Sequence, residues 1–296
     1  MTRTMAVLVN PMSGKGRGGQ AAVDVAAGLR RHGIESTLLI GTDPDDALAL
    51  ARQAVADGVD ALVAAGGDGT VHLALQAVAG TDVPLGIVAL GTGNDNASLL
   101  ALPIKDVAAS VEVLARHHVR TVDAATVQCA DGTREWFLGV LSSGFDSLVT
   151  ERANRLSWPK GEARYLIALV AELATFKPLP FTVTLDGQTL QDEGMLAAIG
   201  NGMTYGGGMR VCPGAEIDDG LLNLTWLHKM STWQFLRSFP KVYTGSHVSH
   251  PLVTDRSARR IRLEAEGQMA YADGEPIGPL PIDVDVHPGQ LRVLVP

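Results

Sequence analysis

Asp60-Ala61-Leu62-Val63-Ala64-Ala65-Gly66-Gly67-Asp68-Gly69-Thr70 reads as an apolar strand running into a glycine-rich turn, and 71–78 continues it with helical spacing. A strand that ends in glycines and feeds a helix is a layout for binding phosphate. Glycines let the backbone approach an anion, and a helix N-terminus offers unpaired N–H groups and positive partial charge. Asp68 is the odd residue in that setting. A carboxylate repels a polyanion unless a cation lies between them, or unless the acid has to accept a proton. The pentapeptide therefore points to nucleotide phosphates, a divalent metal and a transferred group. A junction that needs glycines for geometry alone would carry the same residues, so its neighbours must decide.

Upstream, 5–9 reads as a buried first strand entering the loop 10–19, which is rich in glycine, small polar groups and base. Helical spacing follows over 20–32, with Gly33 suited to a C-terminal cap. The loop is not a Walker A motif, because the Gly-Lys-Ser/Thr order is missing. A second strand is expected at 34–40, and Gly41-Thr42-Asp43-Pro44 caps a helix over 45–57. A fourth strand, 84–90, ends in Gly91-Thr92-Gly93-Asn94-Asp95-Asn96, and one more helix is expected over 104–117. Strand–helix alternation predicts a parallel sheet with helices on both faces. Ligands of such sheets sit at the carboxyl ends of the strands, so the turns at 10–19, 41–43, 66–70 and 91–96 should share one edge.

The pattern changes after Val119. Strand-like runs appear at 120–129, 135–141, 181–185, 194–200, 221–227, 259–264, 282–286 and 291–295. Asp131-Gly132, Asp186-Gly187 and Asp219-Gly220 read as turns among them. This predicts an α/β domain over 1–123 followed by a mainly antiparallel β-sandwich over 124–287, with the strand at about 288–296 a candidate to return to the first. Two helical stretches, 146–157 and 162–176, interrupt the second half.

Composition narrows the class. An apolar fraction of 46% with 19% charged residues describes a globular chain with a large core. A net charge of −8 argues against nucleic acid as a partner, since that surface would have to be basic. Cys129 and Cys212 lack metal-ligand spacing and fit core positions in a reduced, cytoplasmic setting. The N-terminal apolar run is too short for a signal peptide, and no uncharged apolar stretch is long enough to span a bilayer.

Further motifs stand in the second half: Gly200-Asn201-Gly202, Gly206-Gly207-Gly208-Met209, Pro213-Gly214-Ala215-Glu216-Ile217-Asp218-Asp219-Gly220-Leu221 and Ala272-Asp273-Gly274-Glu275. With Asn-Pro-x-Ser-Gly at 10–14 and the turns at 66–70 and 91–95, they make an ordered set. In that order the sequence resembles the diacylglycerol kinase-type lipid kinases, the superfamily that also holds sphingosine and ceramide kinases. The resemblance covers nearly the whole chain. It implies a Rossmann-like first domain of NAD kinase type, a β-sandwich second domain, and ATP in the cleft between them. It implies nucleotide contacts from Asn10, Pro11, Ser13, Gly14, Thr42, Thr92 and Asn94, with Gly66, Gly67, Asp68, Gly69 and Thr70 holding the phosphates. Asp68 would act through Mg²⁺ and water, with Asp123 in the same network, and Glu275 would be the general base toward the lipid hydroxyl. A structural Mg²⁺ would be held by Asp219 and by backbone carbonyls of Glu216 and Leu221. Members of this superfamily are often dimers, which leaves a homodimer open here.

Those roles suit the chemistry. Phosphoryl transfer needs charge neutralisation and positioning more than covalent chemistry, and an alcohol is helped by a carboxylate as the new bond forms. The sequence departs from the family pattern at Leu73, where an acid is usual, and at Asn96 and Ser98, where an apolar residue and an arginine are usual. Two other readings compete: a soluble nucleotide kinase of NAD kinase type, and a catalytically silent lipid- or nucleotide-binding relative. For peripheral membrane contact the sequence offers Arg152, Arg155, Trp158 and Lys160 ahead of the apolar run 165–171. A second basic run, 256–262, reads as an exposed strand edge.

Overall fold

The computed structural model describes residues 2–10, 18–144 and 177–296. The expected helices at 146–157 and 162–176, and the basic stretch 152–160, lie outside them, as do Pro11, Ser13 and Gly14. The chain divides into two compact units. One holds 1–124, 217–219 and 287–296, the other 125–216 and 220–286. The α/β half and the antiparallel half are as the sequence implies.

The first unit is a parallel sheet in the order β2–β1–β3–β4–β15, built from β1 (Thr4–Val9), β2 (Glu35–Leu39), β3 (Ala61–Gly66), β4 (Leu85–Ala89) and the end of β15 (Ile282–Leu294). Every residue of β3 and β4 is buried. Such strands need helices on both faces, and this explains their unbroken apolar runs. Helix α1 (Gly18–Arg31) packs with α5 (Val107–Arg116), and α2 (Pro44–Ala56) packs with α3 (Asp68–Val78). Ala22, Val25 and Leu29 of α1 meet Val111 and Leu114 of α5 in one apolar cluster with β1 and β3. Each such fully buried side chain contributes about 1.5–3 kcal/mol.

Local chemistry sets the helix starts. Asp43 caps α2, its side chain accepting from the Asp46 N–H, with Pro44 in the first turn. Asp106 caps α5 by accepting from the Ala109 N–H. That cap starts α5 later than the spacing predicts, because Ile104 bridges to Ala89 instead. A short helix, α4 (Asp95–Leu99), follows the second glycine turn.

The second unit is antiparallel. Its axis is β9 (Gln188–Gly200). The first half of β9 pairs with β8 (Leu179–Leu185), and the second half lies between β7 (Val140–Gly144) and β10 (Leu222–His228). Around these stand β5 (Val119–Cys129), which leads in from the first unit, β6 (Arg134–Phe137), β11 (Val253–Ala258), β12 (Arg260–Glu264), β13 (Met269–Ala272) and β14 (Glu275–Pro279). Phe181, Trp226, Leu224, Ile261 and Ile282 belong to its core cluster. Helix α6 (Thr232–Ser238) and two 3-10 turns, Phe239–Thr244 and Ser246–Ser249, lie between β10 and β11.

The basic run 256–262 is an edge only in part: β11, which holds Arg256, pairs with β10 alone among the described strands, but β12 lies between β8 and β15. Arg260 pairs with Asp285, and Arg262 pairs with Glu264 and Asp283, so their charges are matched locally. Among the described residues no helix is long and apolar enough to cross a membrane.

Candidate functional site

Because β1, β3 and β4 are parallel neighbours, the turns after them leave the same edge of the sheet. Two of those turns touch directly. A Cβ on Gly91 would lie 2.6 Å from the Gly67 Cα, and one on Gly67 would lie 3.2 Å from the Gly91 Cα. Only two glycines allow this approach of backbone to backbone. Asp68 joins the turns, its Oδ2 accepting the Asn94 N–H at 2.7 Å.

Asn94 then holds its own turn. Its Oδ1 accepts the Gly91 N–H at 2.8 Å, and its Nδ2 donates to the Gly91 carbonyl at 3.0 Å. The residue is buried and left-handed, with φ 60°, a conformation asparagine tolerates better than most side chains. Its amide, expected at the nucleotide, thus serves the turn itself. Gly67 is the N-cap of α3 and provides no side-chain cap to the helix start. Bare glycines beside a helix start without a side-chain cap fit a phosphate.

The other expected nucleotide contacts, Asn10, Thr42 and Thr92, follow β1, β2 and β4 at the same edge of the parallel sheet. Thr42 is exposed at the start of α2, with its N–H and Oγ1 on Asp46 Oδ2 at 2.9 and 3.2 Å. Asn10 and Thr92 are exposed at the ends of β1 and β4. Asp123 is buried within the first unit, where its Oδ1 accepts the Gly289 N–H at 2.8 Å and its own N–H donates to the Ile217 carbonyl at 2.8 Å. Of the expected structural-metal residues, Asp219 falls in the first unit, and Glu216 and Leu221 fall in the second. Glu216 and Asp219 are exposed. Among the described residues no three His, Cys, Asp or Glu side chains cluster as a ready metal cage.

In the second unit Glu275 opens β14, half-buried, directly after the turn Asp273-Gly274. Both turn residues have positive φ, 52° and 87°, as a two-residue hairpin of this kind requires. The sequence reading did not give Asp273 a role of its own. Its carboxylate accepts the Leu138 and Gly139 N–H groups at 3.0 and 2.8 Å. Asn201 braces the same segment, its Nδ2 donating to the Leu138 carbonyl at 2.7 Å and its N–H to the Gly139 carbonyl at 2.9 Å. The signal was present as an Asp-Gly turn facing an Asn-Gly turn. Asp273→Ala strands two N–H groups beside the buried Leu138 and should cost roughly 2–4 kcal/mol. Thermal unfolding checks this; Asp273→Asn, which keeps one acceptor, should lose about half as much.

The same unit contains an apolar cavity of about 90 Å³, lined by Leu196, Tyr205, Met209, Met230, Phe239 and Val242 among others. His247 also borders it. Burial lowers that imidazole's pKa from the ordinary 6.5, more than its contacts with the Val211 and Lys241 carbonyls and with Asp255 raise it. Both cysteines are buried, and burial pushes Cys129 up to about 11 and Cys212 to about 12. They stay thiols at neutral pH.

Comparison with known proteins bears on both units. Residues 4–127 match the family model "Diacylglycerol kinase catalytic domain", and 139–295 match "YegS C-terminal NAD kinase beta sandwich-like domain". A diacylglycerol kinase of Mycobacterium tuberculosis is 42% identical over 290 residues, 98% of this chain and 94% of that protein. In fold the chain is similar to a crystal structure titled as a diacylglycerol kinase of Bacillus anthracis, with a TM-score of 0.74 at 21% identity over 100% of this chain and 97% of that one. An NAD kinase from Archaeoglobus fulgidus, solved with ATP, aligns with a TM-score of 0.54 at 12% identity over 99% of this chain and 93% of that one.

Proposed function

The chain belongs to the diacylglycerol kinase family, and from that premise we propose that this lipid kinase transfers the γ-phosphate of ATP, with Mg²⁺, to the hydroxyl of a lipid alcohol such as diacylglycerol. The observation that carries the acceptor class is the apolar cavity bounded by Leu196, Met209, Phe239 and Val242. A nucleoside acceptor would need polar partners there, whereas an acyl chain needs none.

The turns 66–70 and 91–96 bind the phosphates through backbone, and the close approach of Gly67 to Gly91 keeps the two turns together for it. Asp68 and Asp123 supply carboxylate oxygen toward the metal. Magnesium keeps several waters and binds through one or two carboxylates plus phosphate oxygens, so this donor set suits it. When bound, the metal neutralises charge on the transferred group. Glu275 accepts the proton of the lipid hydroxyl. Despite the departures at Leu73, Asn96 and Ser98, Asp68, Asp123 and Glu275 are all present, which favours a working kinase over a silent relative.

Radiolabelled ATP and Mg²⁺ are incubated with diacylglycerol or NAD, and products are separated by thin-layer chromatography. Label in the lipid alone is expected. Label in NAD, or in neither, overturns the reading. Leu196→Trp, which fills the cavity, should raise KM for the lipid by about tenfold or more while ATP affinity is kept.

A further inference from the structure

Between β10 and β11 the chain carries an acid-free stretch. From Gly220 to Thr254 there is no Asp or Glu, in a protein with 32 acidic residues and a net charge of −8. Within it, α6 and the following 3-10 turn present two different faces. Phe235 and Val242 are buried, and Phe235 and Phe239 stack with ring centroids 5.8 Å apart at the wall of the apolar cavity. On the same segment Trp233 is 72% exposed, Leu236 41% and Tyr243 53%, with the Tyr243 ring edge-on to Phe239. Arg237 and Lys241 are exposed on the same short segment and make no ion pair among the described residues.

An ordinary solvated face does not look like this. Water does not reward an exposed Trp, Leu and Tyr on a single segment, and among the described residues Arg237 and Lys241 have no local carboxylate such as those that pair Arg260 and Arg262. Aromatic rings with one polar edge settle at the headgroup level of a bilayer, and neighbouring cations are drawn to anionic lipid. Exclusion of carboxylates from the stretch removes the repulsion that a strongly acidic protein would otherwise meet there.

We infer that the outer face of residues 233–243, with Trp233, Leu236 and Tyr243 flanked by Arg237 and Lys241, is the surface by which this protein docks on an anionic lipid bilayer. These residues are other than the basic stretch 152–160 singled out in the sequence. The use of this face in catalysis rests on the lipid-kinase reading, because the inner side of the same segment walls the cavity assigned to the acyl chain. Docking through this face sets that wall against the membrane that contains the substrate.

The test needs neither ATP nor turnover, so its outcome is independent of the kinase assignment. Full-length protein is sedimented with phosphatidylcholine vesicles that contain or lack phosphatidylglycerol. Binding is expected only with phosphatidylglycerol. The double variant Arg237→Gln, Lys241→Gln should weaken it by about thirty-fold, from about 1 kcal/mol per cation. Trp233→Ser with Leu236→Ser should weaken it on the order of tenfold. Trp233 emission should shift to the blue on vesicles, and Trp233→Phe should abolish the shift. Unfolding temperatures should not change, since none of these side chains is buried. The inference is overturned by vesicle affinities that both double variants leave intact, by a loss confined to neutralised Arg152, Arg155 and Lys160, or by light scattering that shows the face instead pairs two copies of this chain.

Discussion

Glu275→Gln is expected to lower turnover by about a hundred-fold or more, the usual cost of losing a general base. ATP affinity and unfolding temperature should stay close to the parent's. The expectation rests on how the hairpin divides two nearby acids. Asp273 binds the 138–139 backbone, so its carboxylate is engaged in holding the turn. Glu275 is paired through its backbone with Ala272 and stands half-buried at the head of β14. Replacing it with an amide of the same size removes the basic oxygen and little else. Single-turnover measurement of phosphate transfer isolates the chemical step. A rate within a few-fold of the parent would remove Glu275 from the mechanism.

Gly91→Ala should disable the protein by a different route. The new Cβ would lie 2.6 Å from the Gly67 Cα and 3.0 Å from Asn94 Oδ1. The first contact is backbone, so no rotamer change relieves it. Overpacking of this kind costs roughly 1–3 kcal/mol. The Asn94 bonds to Gly91 weaken too, at about 1 kcal/mol each. The larger effect falls on binding. Both turns shift by some tenths of an ångström or more, and displacement of about 1 Å in a positioned site costs on the order of a hundred-fold. Calorimetry should show an unfolding temperature lower by several degrees. Titration with ATP should show affinity reduced by about two orders of magnitude. A Gly91→Ala variant that binds ATP normally would mean that the two turns do not form the phosphate site.

The first unit was legible because its strands are buried on both faces and its helices begin at strong caps. Asp43-Pro44 and the glycine turns mark boundaries by chemistry that acts within a few residues. The second unit was harder where pairing, not local pattern, makes the strand. Residues 275–279, Glu-Pro-Ile-Gly-Pro, carry two prolines and are not among the expected strands, yet form β14 against β13. The runs 282–286 and 291–295 read as two strands because His287-Pro288-Gly289 lies between them. They are one strand, β15, that keeps a positive φ of 66° at Gly289. The run 135–141 is two strands, broken where Asp273 holds Leu138 and Gly139 from far along the chain. At the candidate site, residue types pointed to the two glycine turns, but not to the reciprocal clip between Asn94 and Gly91. Nothing in the spacing of an amide says which backbone group it will reach.

The return of β15 to the first unit constrains biosynthesis. Val293 pairs with Leu85, the Gly80 N–H donates to the Gln290 carbonyl, and Leu291, Val293 and Leu294 are buried among residues translated far earlier. The sheet that begins at Thr4 therefore lacks its last strand until the whole second unit has left the ribosome. A nascent chain would expose the open side of β4 through that interval, so the first unit matures last although it is made first.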